Sequence, residues 1–322
     1  MRAPDFWQRN DASSRLLSAL LSPLAALYAA GGRHFAAKAK PYRAHARVIC
    51  VGNLTAGGTG KTPVAIAIGR MLTAKGCKVY FLTRGYGGQT TGQVVVDTNL
   101  HNAGAVGDEA LLLARVAPTI VSRDRIQGAE IADSLGADVI VMDDGHQNFD
   151  LVKDVSLVVV DAETGFGNGR VIPAGPLREP IEQGLARTDA IVLVGSGNPK
   201  IPPHQIPVIN AHIMPADPDA LRGKMLFAFA GIGRPEKFFA TLKTMGAKIA
   251  GTKAFADHHM FSAEELSELR TTANAKNAML VTTEKDWVRL AASERQDILT
   301  VPIHIAFDEP AHISAILEGL KT

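Results

Sequence analysis

A chain of 322 residues that is 46% hydrophobic and 20% charged can bury a large core and divides, at roughly 150 residues each, into two domains. A net charge of +2 excludes a global pull on nucleic acid, and Cys50 and Cys77 read as buried thiols of a reducing compartment without metal-type spacing. Charge is uneven along the chain: residues 1–47 carry eight Lys/Arg against two Asp, a local +6, which leaves −4 for the remainder of the +2 total.

Residues 16–32, LLSALLSPLAALYAAGG, hold no charge and are flanked by Arg9 and Arg15 before and by Arg33, Lys38 and Lys40 after. This length is the lower edge of a spanning helix, and Pro23 interrupts the middle. A cleaved signal peptide fits the apolar length but would export a nucleotide-binding domain away from its ATP. A core helix is the plainer reading. An interfacial or shallowly inserted helix, its basic flanks on anionic headgroups, explains charge and apolarity together and is the reading adopted.

Val48–Val51 reads as a buried strand, and a helix opens with Pro63 in its first turn, where the missing N–H costs nothing. Between them lies Thr55-Ala56-Gly57-Gly58-Thr59-Gly60-Lys61-Thr62. Glycines let successive backbone N–H groups wrap a phosphate at the helix N-terminus, Lys61 reaches the β/γ-phosphates, and the Thr62 hydroxyl meets Mg²⁺. The general pattern wants glycine at position 55, where this chain has Thr55.

Lys78–Thr83 is the next strand, and Arg84 and Tyr86 in the turn after it face the ligand crevice, unless this is an ordinary glycine-rich turn. After a short strand over 93–96, Asp108 precedes a helix over 110–116 and is placed to cap it. A strand at 119–121 and a helix over 123–135 follow. The strand Val139–Met142 ends in Asp143 and Asp144, the acid a phosphate-binding loop needs beside it for Mg²⁺. Leu157–Val160 with Asp161 repeats that pattern. The Gly- and Pro-rich loop 165–180 is long enough to be a lid or substrate loop. Strands at 190–194 and 208–213 precede a linker around 214–224.

Beyond the linker lies a smaller αβ unit: strand 225–230, helix 235–245, strand 248–255, helix 263–275, strand 278–282, a short helix near Asp286, strand 299–305 and a C-terminal helix. Its Asp257-His258-His259 suggests metal, but no third and fourth ligand with sensible spacing accompanies it; an orienting histidine or a surface turn remains. Thr283-Glu284-Lys285-Asp286 is not a guanine-selective box, because position 284 is Glu.

Together VGNLTAGGTGKTP (51–63), TRGYGG (83–88), GDE (107–109), DDGHQN (143–148), PAGPLREP (173–180), FADHHMF (255–261) and TTEKD (282–286) resemble one family, the tetraacyldisaccharide 4'-kinases, inner-membrane kinases of lipid A biosynthesis in Gram-negative bacteria. The resemblance spans nearly the whole chain and includes the loop lacking its first glycine. It implies an α/β fold: a P-loop domain (48–220) with a mostly parallel sheet flanked by helices, a smaller αβ domain (221–322) closing over the cleft, and a membrane-associating N-terminal segment (1–47) with its apolar helix. It implies transfer of the ATP γ-phosphate, with Mg²⁺, to the 4'-hydroxyl of an acylated glucosamine disaccharide 1-phosphate at the cytoplasmic face of the inner membrane, with no nucleic acid and no obligate protein partner. By motif position, Asp108 is the base, assisted by His258. Lys61 and residues 55–62 hold phosphates, and Thr62, Asp143, Asp144 and Glu179 surround the metal. Arg178 covers the reacting phosphates, and Asn53, Arg84, Tyr86 and Gln147 face substrate. The family usually reads D-D-G-F-Q-H, whereas here His146 replaces the aromatic and Asn148 the histidine. Two rivals stand beside this reading. A membrane-associated ATPase switch of the deviant Walker class needs a lysine where this chain has Ala56, and a nucleotide-gated adaptor would bind ATP without turnover.

Overall fold

The computed structural model describes residues 4–9 and 11–319, so residues 1–3 and 10 of the expected basic arm, and the last three residues, lie outside it. Helix α1 (Ala12–Lys38) is capped by the Asp11 side chain and runs on through Pro23. Its stripe Leu16, Leu20, Leu24 and Leu27 is 54–70% exposed, whereas Ser14, Ser18 and Ala25 are buried. A core helix does the reverse, turning its apolar stripe inward.

The chain continues as β1 (Arg47–Gly52), α2 (Lys61–Ala74), β2 (Val79–Thr83), β3 (Val94–Val95), α3 (Ala103–Val106), α4 (Asp108–Ala114), β4 (Thr119–Val121), α5 (Arg125–Ser134), β5 (Val139–Asp143) and β6 (Val155–Asp161). Then come α6 (Ile181–Leu185), β7 (Ala190–Val194) and β8 (Val208–Pro215). Beyond residue 224 follow β9 (Met225–Ala230), α7 (Pro235–Thr244), β10 (Lys248–Ala254), α8 (Ala263–Ala275) and β11 (Met279–Thr283). The chain closes with α9 (Glu284–Trp287), β12 (Ile298–Val301), β13 (Ile303–Phe307) and α10 (Pro310–Glu318).

Nine strands form one sheet in the order β13-β8-β7-β6-β1-β5-β2-β4-β3, parallel except for its two edges, β13 and β3. Strands of such a sheet are covered on both faces and so read as continuous apolar runs. In β1, Ile49 and Val51 join the core under α2, while Val48 and Cys50 join the core on the α5 side. The second sheet, β10-β9-β11-β12, is wholly parallel. Its central β9 sends Leu226, Ala228 and Ala230 toward α7, and Phe227 and Phe229 toward α8, by the period-two alternation of a strand.

Two expectations change. The strand expected over 299–305 is two strands parted by Pro302, and they belong to different sheets: β12 ends the small sheet and β13 pairs antiparallel with β8. Helix α10 then packs Ile313 and Leu317 into the core under α2, so the chain after Val301 returns to the large sheet. The linker begins later than expected, because Met214 and Pro215 still pair with β13.

Candidate active site

Because β5 lies beside β1 with Val51 opposite Asp143, the acid at the end of β5 reaches the first turn of α2. Thr62 Oγ1 donates to Asp143 Oδ2 at 2.9 Å, and both residues are buried. The other oxygen, Asp143 Oδ1, is buried with no partner among the described residues. Burial, reinforced by the Glu109 charge, pushes the Asp143 carboxyl up to about 7 against the opposing pull of Lys61. An acid so raised, with a free buried oxygen beside a threonine hydroxyl, suits a divalent cation.

Asp144 adopts a left-handed backbone, φ 54°, and its Oδ1 lies 3.6 Å from Lys61 Nζ and accepts from Arg178 Nη1 at 2.9 Å. Burial would raise its carboxyl, but Lys61 and then Arg178 outweigh that and hold it below its ordinary value. The Thr55 departure has a plain cause. Thr55 is not among the positive-φ residues, and it bridges antiparallel to Leu177, with Ala56 N donating to Pro176 O at 2.7 Å. The 165–180 loop thus lies along the start of the phosphate loop, which needs its left-handed turns only at Gly57 (φ 120°) and Gly60 (φ 89°). Asn53 Nδ2 bonds Thr55 O and Thr59 Oγ1 from beneath.

Glu179 stands apart from the Thr62–Asp143 pair. Both its oxygens accept from Arg187 at 2.9 Å, and Gln147 joins it to the Asn53 carbonyl. Its carboxylate is therefore occupied in orienting the loop, and no bond links it to Thr62, Asp143 or Asp144 among the described residues. The protein oxygens that could meet a divalent cation are those of Thr62, Asp143 and Asp144, too few for a closed cage. That fits an ion that keeps waters and phosphate oxygens for most of its shell.

Asp108 is not the helix cap; Gly107 is, at φ 88°, and Asp108 is the first residue of α4. Its Oδ2 lies 2.9 Å from His258 Nδ1, which comes from the loop after β10 in the small unit. The same oxygen accepts from Arg289 Nε at 2.7 Å. Burial would raise the Asp108 carboxyl, yet the His258 bond and the Lys285 and Arg289 charges hold it far below the usual range. Tyr86 sets its ring edge-on to His258, with centroids 5.3 Å apart, so the crevice turn touches the pair. Arg84 is exposed and makes no side-chain hydrogen bond among the described residues. His259 pairs with Glu265 and stacks on Phe255, so it is held within the local turn. His146 is fully buried, its Nε2 3.0 Å from Gly184 O, and burial pulls it down to about 3, which keeps it neutral packing beneath Gly52. Asn148 closes its own turn onto Asp150 and Leu151.

Two contacts were not legible in the sequence. Arg289, three residues beyond Asp286, repeats the short helix's period but carries no motif. Arg234 reaches from the small unit to Asp161 and to the Gly58 carbonyl of the phosphate loop at 3.2 Å.

A parallel sheet with a glycine loop between β1 and α2, an acid on the neighbouring strand and an Asp–His pair closed by a second αβ unit defines a P-loop phosphotransferase. The profile of one family, LpxK, described as tetraacyldisaccharide-1-P 4'-kinase, matches residues 17–321. The chain belongs to that family. The tetraacyldisaccharide 4'-kinase of Paramagnetospirillum magneticum is 49% identical over 325 residues, 99% of each chain. That of Rhodospirillum rubrum is 48% identical over 329 residues, 99% of this chain and 98% of the other. The crystal structure of LpxK from Aquifex aeolicus in complex with ATP superposes with a TM-score of 0.77 at 25% identity, covering 94% of this chain and 99% of that one.

Proposed function

We infer that the protein transfers the γ-phosphate of ATP to the 4'-hydroxyl of a tetraacylated glucosamine disaccharide 1-phosphate in lipid A biosynthesis, working at the cytoplasmic face of the inner membrane. The observation that carries the chemistry is the Asp108–His258 contact, 2.9 Å across the two units. Lys61 and Arg178 both rest on Asp144 here; with ATP present they exchange it for phosphate oxygens. Thr62, Asp143 and Asp144 would hold Mg²⁺, which neutralises charge on the β- and γ-phosphates when bound.

Asp108, kept ionised by its cationic neighbours, orients His258. The pair accepts the hydroxyl proton as the oxygen bonds to the γ-phosphorus and the bond from that phosphorus to the β–γ bridging oxygen breaks, releasing ADP. Arg84 and Tyr86 stand at the crevice mouth, where a sugar approaches the pair. Gln147 braces the loop that carries Arg178.

The membrane assignment rests on α1. It is the one helix among the described residues long and apolar enough to cross a bilayer, and most of its apolar stretch is exposed. An outward leucine stripe with basic flanks suits an acylated acceptor held in a lipid surface. The test incubates the protein with ATP, Mg²⁺ and the disaccharide 1-phosphate. Mass spectrometry should find one added phosphate on the lipid, whereas rapid ATP hydrolysis indifferent to lipid would favour the ATPase switch instead.

A further inference from the structure

Arg289 has no part in the phosphate loop, yet it holds the same oxygen that His258 holds. Its side chain is 1% exposed and that of Asp108 3% exposed. Nε and Nη2 both donate to Asp108 Oδ2, the first at 2.7 Å, while Nη1 donates to Gly231 O at 2.7 Å and to Asp286 Oδ1 at 2.8 Å. Asp286 is itself pinned, accepting from Gly231 N and the Thr283 hydroxyl. One guanidinium therefore ties the loop after β9 and the turn after α9, both in the small unit, to the first residue of α4 in the large one.

We propose that Arg289 is a positioning residue for the transfer: it fixes Asp108 against His258 and makes that alignment depend on the small unit being seated on α4. This rests on the reading of Asp108 and His258 as the proton acceptor. A buried ion cluster is a poor way to gain stability, because apolar groups of the same volume do as well without desolvation. A planar fork, by contrast, sets the carboxylate's direction as no apolar contact can. The seating is shared by Lys285, 3.1 Å from Glu109, the residue after Asp108 in the first turn of α4. The charged groups facing Asp108 are thus Lys285, Arg289 and Glu109, beside the titratable His258, with Asp257 behind the imidazole and Asp286 behind the guanidinium.

The test compares Arg289→Lys and Arg289→Met with wild type in kcat, ATP affinity, melting temperature and the pH profile of kcat/KM. Arg289→Lys keeps the charge and loses the fork, so kcat should fall about 10–100-fold with ATP affinity unchanged and the acid limb in place. Arg289→Met also removes a positive charge beside the pair, which then binds its proton more readily, so the acid limb should move to higher pH. Wild-type kcat per folded molecule in Arg289→Lys overturns the proposal, even where Arg289→Met does not fold. Asp108→Asn, run in parallel, separates the layers. If it is inactive while the Arg289 variants are normal, only the positioning role fails; if it runs at the wild-type rate, the proton-acceptor reading fails with it.

Discussion

Replacing Asp143 with asparagine should make the metal-free protein more stable at high pH while abolishing transfer. The folded protein raises this carboxyl from 3.8 to about 7, so between those values the native state binds a proton that the unfolded chain has released. Stability contributed by this group is accordingly highest below pH 4, falls as pH rises and levels off above 7. A displacement of about three pH units corresponds to about 4 kcal/mol once the charge is fully formed. An asparagine carbonyl can still accept from Thr62, but its amide nitrogen takes the place of the unpartnered Oδ1 and leaves a buried donor unmet, costing about 1–3 kcal/mol. The net gain should therefore be about 1–3 kcal/mol at pH 8 and near zero or negative at pH 5, where wild-type Asp143 is already protonated. Urea unfolding in chelator at the two pH values measures it. A variant less stable than wild type at pH 8, or a difference that does not change with pH, would refute the claim that a buried charge is held there for metal.

Lys61→Ala should lose transfer by several orders of magnitude and lower the melting temperature, because it takes a charge from the phosphates and also from the buried Asp144; a wild-type rate in a folded mutant excludes the assignment. Leu20→Glu with Leu27→Glu, at positions 68% and 70% exposed, should leave melting unaltered and abolish sedimentation with anionic vesicles, and retained sedimentation would show that the stripe is not the lipid contact. Gly107→Ala should slow transfer and destabilise the fold by at least 1–2 kcal/mol, since φ is 88° and a Cβ would stand 2.5 Å from the Tyr86 carbonyl; a neutral result in paired kinetics and melting would mean that α4 tolerates displacement.

What could be read in advance follows from how local each cause is. The phosphate loop and its acid are legible because left-handed glycines, a helix start and a strand-end carboxylate are each set within a few residues. The outward face of α1 is legible only through its basic flanks, since an apolar run has the same composition whether it faces core or lipid; the exposed leucines and the burial of Ser14 and Ser18 separate the two. Strand 299–305 is misread for a related reason: Pro302 marks a break, but nothing local says that Ile303–Phe307 pairs with β8 some ninety residues earlier. Glu179 looks like a metal ligand by motif position, and its partner Arg187 lies outside every motif. Arg289 and Arg234 act across the junction between units, where the cause is the tertiary placement itself.

The central claim is that Asp108 of the large unit and His258 of the small one act as one proton acceptor beside the phosphate loop. Initial rates of phosphate transfer to the disaccharide, measured for Asp108→Asn, His258→Ala and the double variant at fixed ATP affinity, test it directly. Each single change should lower kcat by about 10²–10⁴, and the double variant should be little slower than the worse single one. Rate losses that multiply in full, or a wild-type rate in Asp108→Asn, would contradict it.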